Sequence, residues 1–586
     1  MTRQRRPGAL NGLRVLEIGE LVSAPYAARL LADLGAEVIK VEPPTGDRSR
    51  HRGPYRPGEE HGDASGSYLA LNTGKRSVVA EPGETGSTLV AQFCDDADIV
   101  ITNYETARLA ELDFDPASWL TRRPELVICS VTPFGRTGPY ANYRAEELTV
   151  SHAGGWAYQT PGASQDADKP PLKVFGHQTD FHAGMAAATA CLAALDKAKR
   201  IGVGDHIDFS SMAHTAGMLE AALIAASYME VDPNRLGSRL LNPWKIFECA
   251  EADDGGSNLI FLVTVEQDQW ERLVEFMGHP DWVDTGLFDT MELRLENEDL
   301  LVTYLQEWTA QHTVQDLWHR GQQSRICFAP VLTMADMETQ DHLLQRGFFE
   351  EVEHPRAGRV KHLGPPFLAV PEIRAEIRPA PLLNEHTGTS FQADQLAVAA
   401  GPRPGLSGSS RPLTGVRVLD LSWVWAGPYC SLHLAYFGAD VIKLESATRP
   451  GLGRRLPLHP LEVEPTLNTS AYFNQWEQGK RSCGIDLSKP EAVQLVKEMV
   501  AQCDVVVENF ATGVMERLGL GYDTLSEINP GLVMASISGY GVSGPLKDFM
   551  GYGPTTGPLS GLTSLTGYRD GPPRELGISV LSLIHI

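Results

Sequence analysis

Apolar and polar positions change over in short blocks along this 586-residue chain. Arg14 to Ile18 and Glu37 to Glu42 are brief, β-prone apolar runs. Between them lies a stretch with helical spacing in which Pro25 suits a first turn and Gly35 a stop. Asp98 to Thr102 and Leu126 to Val131 are further short apolar runs, again separated by helical segments. Strands buried on both faces and alternating with helices predict a parallel sheet covered by helices, a Rossmann-like α/β unit. The first strand-to-helix turn, Gly19 to Pro25, lacks the G-x-G-x-x-G pattern, which removes the main argument for a dinucleotide site and with it a nicotinamide dehydrogenase.

The pattern then returns. Gly12 to Glu17 (GLRVLE) recurs from Gly415 to Asp420 (GVRVLD), an offset of 403 residues, and Leu34 to Lys40 recurs from Phe437 to Lys443. Gly74-Lys-Arg-Ser77 comes back as Gly479-Lys-Arg-Ser482, Asp98 to Asn103 as Asp504 to Asn509, and Phe134 to Pro139 as Tyr540 to Pro545, the offset drifting only to 406. So long a period is duplication of a whole domain, because solenoid repeats run only about 20–50 residues. A Gly-, Pro- and Ser-rich stretch at about 392–413 reads as the join.

Composition narrows the function classes. A formal net charge of −24 argues against broad nucleic-acid or anionic-membrane binding, so an anionic ligand must find local cations. Eight cysteines with no C-x-x-C pair signal neither zinc nor a disulfide framework and fit a reducing cytoplasm. The basic N-terminus has no apolar stretch behind it, as a secretory signal would need. The longest apolar run, Met185 to Leu195, is far short of the roughly 20 residues that span a bilayer, so no transmembrane segment is expected.

Candidate chemistry gathers before that run. Residues 170–184 read PPLKVFGHQTDFHAG, placing Asp180 where a helix begins; taken alone it is an N-cap. His177 and His182 flank it without a third ligand at metal spacing, so no metal is assigned. Glu146 and Glu147 precede Gly154-Gly155 and are candidates for a second carboxylate near Asp180. Lys75 and Arg76 read as a solvated turn.

Taken together and in order, G-x-R-V-L-E, A-P, L-G-A-E-V-I-K-V-E, N-x-G-K-R-S, F-G-x-x-G-P and D-x-x-x-G resemble the CaiB/BaiF class III coenzyme A transferases over about residues 12–390, and again over 415–579. The resemblance implies a duplicated α/β fold: a Rossmann-like large domain (about 12–215, with a return segment at about 330–390) and a smaller α+β domain (about 216–329). A linker at 391–414 and an incomplete second copy at 415–586 follow. It implies transfer of coenzyme A from an acyl-CoA to a carboxylic acid, with Asp180 as nucleophile and aspartyl anhydride and thioester intermediates. No cofactor is permanently bound; coenzyme A and acyl-CoA are substrates. Its coenzyme A positions fall on Val22, Ser23, Asn103, Tyr104 and Arg144, although Val22 lacks the polar side chain often found there and Tyr104 stands for Phe. Loops at Asn234 to Trp244 and Asp253 to Asn258 are candidates for the substrate side of the site. Partners are small molecules and, by the family's habit, a second subunit: a homodimer, or an intrachain pseudo-dimer in a full-length tandem chain.

Two rivals stay open. An α-methylacyl-CoA racemase would pair Asp180 with a His soon after Gly138-Pro139, where this chain has YANYRAEE. A non-catalytic coenzyme A-binding tandem protein is suggested by the second copy, whose position aligned with Asp180 is Ser582. That copy lacks a small domain of its own, so its sheet is expected to be partly uncovered and its stability marginal.

Overall fold

The computed structural model describes residues 8–162, 166, 168–220, 222–230, 242–251, 256–364, 367–392 and 411–578. The chain divides into two compact bodies.

The first body comprises residues 1–154, 177–217 and 347–415. Its centre is a six-stranded parallel sheet of β1 (Arg14–Ile18), β2 (Glu37–Glu42), β3 (Arg76–Val79), β4 (Ile99–Thr102), β5 (Val127–Thr132) and β6 (His206–Ser210), in the order β3-β2-β1-β4-β5-β6. The order reverses at β1, which pairs with β2 on one side and β4 on the other. Loops leaving β1 and β4 therefore meet at the carboxyl edge, where ligands of open α/β sheets bind. The expected Rossmann-like unit is present.

Helix Ser23–Asp33 follows β1 with Pro25 in its first turn, and Gly35 ends it at φ +103°, a conformation that costs glycine little. One face of the sheet is covered by this helix and by Gln178–Ile201, through Ala24, Ala27, Ala28, Ala183, Ala187 and Cys191. Their small side chains let the two helices lie close. The other face is closed by Val90, Phe93, Tyr104, Leu109 and Trp119. An antiparallel hairpin, Phe349–His354 with Gly358–Leu363, completes the body.

The second body draws on both repeats: residues 155–176, 218–346 and 416–586. A three-stranded antiparallel sheet (Trp244–Glu248, Leu259–Val263, Cys327–Pro330) is backed by helices whose Trp270, Leu273, Leu301, Leu305 and Leu317 are buried. A five-stranded parallel sheet runs Arg481–Gly484, Asp440–Glu445, Arg417–Asp420, Val505–Glu508, Val533–Ser536, the same order as β3-β2-β1-β4-β5. One apolar cluster joins Trp156, Val174, Phe261 and Val263 to Trp425, Tyr472, Leu576 and Ile578. Trp156 Nε1 donates to Leu576 O at 3.0 Å, and Arg574 pairs with buried Asp166 at 2.5 Å. Among the described residues Val533–Ser536 is an edge strand, with Val533 60% exposed, whereas its counterpart β5 is buried and paired to β6.

No helix among the described residues is long and apolar enough to cross a membrane.

Candidate active site

The Gln178–Ile201 helix begins before Asp180. His177 occupies the N-cap position and Asp180 lies in the first turn, so Asp180 is not the cap. A carboxylate there is favoured by the helix dipole. The cap's work falls to a neighbour: Glu147, 6% exposed, accepts from Thr179 Oγ1 at 3.0 Å and from Thr179 N at 3.4 Å. Glu147 is thus spent on ordering the start of the helix.

Asp180 keeps its side chain 24% exposed, with Oδ2 3.2 Å from His177 Nδ1. His177 Nε2 is 3.2 Å from Arg52 Nη1, and Arg52 Nη2 lies 4.0 Å from Glu146. Glu146 also receives Arg48 at 3.3 Å, and Arg48 reaches Glu20 at 3.5 Å. A line of polar contacts therefore runs from the first strand-to-helix turn to Asp180. Buried His182 points elsewhere chemically: burial, then His214, pushes it down to about 3, so it is neutral.

The spacing D-x-x-x-G has a steric reason. Gly184 stands one turn after Asp180, and a Cβ there would lie 2.5 Å from Ser23 O and 3.3 Å from Ala27 N. Only a glycine lets this helix seat against Ser23–Asp33 at that depth.

The turn after β1 is held by Asn103, whose Oδ1 accepts from Glu20 N at 3.0 Å while Nδ2 donates to Glu20 O at 2.7 Å and to Ser23 Oγ at 3.1 Å. Leu21 takes φ +63° and its N–H is accepted by Asp47 Oδ1 at 3.0 Å. Val22 is 6% exposed and serves as N-cap, its carbonyl accepting from Tyr26 N at 2.8 Å. Thus Val22, Ser23 and Asn103 are brought together. Tyr104 is buried behind them with the Arg108 guanidinium 3.7 Å over its ring. Arg144 stands apart, its side chain 88% exposed and 3.5 Å from Glu105.

Beneath the turn is a charged network absent from the sequence reading. Lys75, far from solvated, is 4% exposed and donates to Glu17 at 2.7 Å, Pro25 O at 2.8 Å and Asn72 at 2.9 Å. Burial lowers Lys75 to about 8 against the pull of Glu17. Burial also works against Lys40, but Asp47, Glu17 and Glu42 outweigh it and raise its pKa. The second repeat rebuilds the network with Asp420, Lys443 and Lys480. The signal in the sequence was charge recurring at matched strand and turn positions of both copies.

The second copy repeats the asparagine clamp as well: Asn509 Oδ1 accepts from Trp423 N and Nδ2 donates to Trp423 O, each at 2.7 Å, beside Val424 at φ +65°. There Trp423 replaces Glu20, and a cavity of about 760 Å³ opens, lined by Trp423, Arg449, Asn509, Phe510, Lys547 and Tyr552 among others. Of the expected substrate-side loops, residues 234–241 and 253–255 lie outside the described residues. In the remaining part Asn242 is buried and donates to Arg294 O at 2.8 Å. Among the described residues no group of three or more His, Cys, Asp or Glu side chains could hold a metal ion.

The sequence pattern of CoA-transferase family III matches residues 10–387 and 413–584, and the chain belongs to that family. A probable CoA-transferase of Mycobacterium tuberculosis is 29% identical over 544 residues, 91% of this chain but 65% of that protein, so this chain spans less than two thirds of that relative's length. The succinate–glutarate CoA-transferase of Agrobacterium fabrum is 29% identical over 393 residues, covering 65% of this chain and 94% of the relative. Among solved structures, a CaiB/BaiF family protein from Brucella suis is 28% identical with a TM-score of 0.57, covering 65% of this chain and 98% of its own.

Proposed function

We propose that this chain moves coenzyme A from an acyl-CoA thioester to an acceptor carboxylic acid, with Asp180 as the nucleophile. The observation that carries the reading is Asp180 itself: a carboxylate in the first turn of a packed helix, held at one oxygen and open to solvent at the side chain. Held against a thioester carbonyl, such a carboxylate gains effective concentration and loses competing hydration. Its attack forms a C–O bond and expels coenzyme A thiolate, leaving an aspartyl–acyl anhydride. Thiolate then attacks the aspartyl carbon, releasing the donor acid and forming an aspartyl thioester. The acceptor carboxylate displaces thiolate to give a second anhydride, and thiolate takes the new acyl group and frees Asp180.

Val22, Ser23, Asn103, Tyr104 and Arg144 form the coenzyme A side in this reading, on a complete copy spanning 12–390 that is linked through 391–414 to a second copy at 415–586. Short dicarboxylic acids make the first acceptor panel, because the Agrobacterium fabrum relative is named for succinate and glutarate. A racemase needs two bases on opposite faces of the substrate carbon. His177, bonded directly to Asp180, stands on the same side, which favours transfer.

Mass spectrometry after incubation with acyl-CoA and hydroxylamine tests this: the expected result is modification at Asp180. No modification across a wide acyl panel would refute it. Asp180→Ala is expected to abolish transfer and spare coenzyme A binding.

A further inference from the structure

Asp180 is attacked as well as attacking. In the second step of the proposed cycle a thiolate adds to its own side-chain carbon, and the negative charge that develops there falls on a carboxyl oxygen of Asp180. A donor already fixed on that oxygen stabilises the step without reorganising.

Such a donor can be read from the hydrogen-bond directions. A guanidinium only donates and keeps its protons. The ring nitrogen facing it, His177 Nε2 at 3.2 Å from Arg52 Nη1, therefore presents a lone pair. An imidazole with one bare nitrogen is neutral and carries its proton on the other. That other nitrogen is Nδ1, 3.2 Å from Asp180 Oδ2. The direction runs Arg52 to His177 to Asp180, with Glu146 steadying Arg52 from 4.0 Å. Oδ1 is left without a side-chain hydrogen bond among the described residues.

We propose that His177 is a catalytic residue of this site, the hydrogen-bond donor to Oδ2 of Asp180, and that Arg52 is the positioning residue that fixes its tautomer. The inference rests on Asp180 being the nucleophile. Oδ1 makes the first attack and becomes the bridging oxygen of the anhydride. Oδ2 becomes the aspartyl carbonyl oxygen, still accepting from His177. When thiolate attacks, the S–C bond forms and the carbonyl electron pair moves onto Oδ2; its return expels the donor carboxylate together with Oδ1. His177 gives up no proton at any point.

The test compares wild type, His177→Ala, His177→Asn and Arg52→Met in steady-state transfer and in labelling of Asp180. Losing an oxyanion donor costs about 100- to 1000-fold in kcat. His177→Ala is expected to show that loss with KM for acyl-CoA nearly unchanged. His177→Asn returns an N–H near the Nδ1 position and is expected to recover at least about tenfold of it. Arg52→Met leaves the helix untouched and is expected to lower kcat about tenfold or more, by freeing the tautomer. A kcat for both His177→Ala and Arg52→Met within threefold of wild type would overturn the proposal, as would an Asn variant as slow as Ala with an equally folded chain. Should His177→Ala not fold, the Asn and Arg52 variants decide alone. Absence of label in the wild type would instead refute the nucleophile itself; label at wild-type rate in His177→Ala, with unchanged kcat, refutes only the role of His177.

Discussion

Replacing Gly184 by Ala adds one methyl group at the tightest point between the two helices that cover the first sheet. The new Cβ would stand 2.5 Å from Ser23 O and 3.3 Å from both Ala27 N and Tyr26 Cβ. An ordinary contact there needs at least about 3.4 Å, and two of the three neighbours are backbone atoms, so the helices must part by close to an ångström. Overpacking of this kind costs about 1–3 kcal/mol, against which the better helix propensity of Ala returns about 1. The net loss is up to about 2 kcal/mol, or up to roughly 8 °C in Tm for a body of this size. Function should suffer more than stability. Asp180, the proposed nucleophile, lies one turn away on the helix that moves, and a displacement of about 1 Å at a reacting group can cost about 100-fold in rate. Thermal unfolding and kcat would be measured beside Thr189→Ala, an exposed change on the same helix that should stay within about 0.5 kcal/mol of wild type. A Gly184→Ala chain with wild-type Tm and wild-type kcat would show that the helices yield freely and that this glycine does not place the aspartate.

Three further outcomes follow from the burial of charge and from the second sheet. His182 is neutral in the folded chain, pushed down to about 3, and His362 likewise to about 4. Unfolded chains bind those protons near pH 6.5, so stability is complete above that value and falls toward pH 3–4, by about 1.4 kcal/mol per pH unit for each group. His182→Gln is expected to shed one proton's worth of that slope in denaturant titrations between pH 4 and 6; an unchanged slope would refute the assignment. Lys75→Met should cost about 3–5 kcal/mol by leaving Glu17 with one cation where it had two, read as a lowered denaturation midpoint, and a neutral result would count against the network. Limited proteolysis is expected to cut at the exposed edge strand Val533–Ser536 before its counterpart β5, which is buried and paired to β6, and equal resistance of the two strands would contradict the exposure of that edge.

Strands β1, β2, β4 and β5 were legible because they are short, apolar and almost fully buried and most recur in the repeat, whereas β3 (RSVV) and β6 (HIDFS) are polar and half-buried and gave no such signal. The helix carrying Asp180 was legible as to place but not as to phase. Its true start at His177 depends on Glu147, a residue 32 positions away in sequence, accepting from Thr179. Lys75 misled for a related reason: a lysine on a turn is usually solvated, and only the folded sheet brings Glu17 and Asn72 around it. The cavity at Trp423 was foreshadowed by the matching Asn103 and Asn509. Trp423, standing where the first copy has Glu20, is part of its lining, and that placement appears only when the loops are closed. The five proposed coenzyme A residues share a motif-based origin but not a setting, since Val22, Ser23 and Asn103 lock one turn while Arg144 stands in solvent.

The bond from Trp156 to Leu576 spans 420 residues. A ribosome adding about 5–20 residues per second needs roughly 20–80 s to travel that distance. The segment around Trp156, and after Pro330 the three-stranded sheet as well, wait out that interval without the surface against which they finish folding. The first body, whose sheet is complete by Ser210, can close meanwhile. The slow and vulnerable event in making this protein is therefore a wait rather than a search, and holding that apolar face apart from other nascent chains is the task the interleaved order hands to the cell.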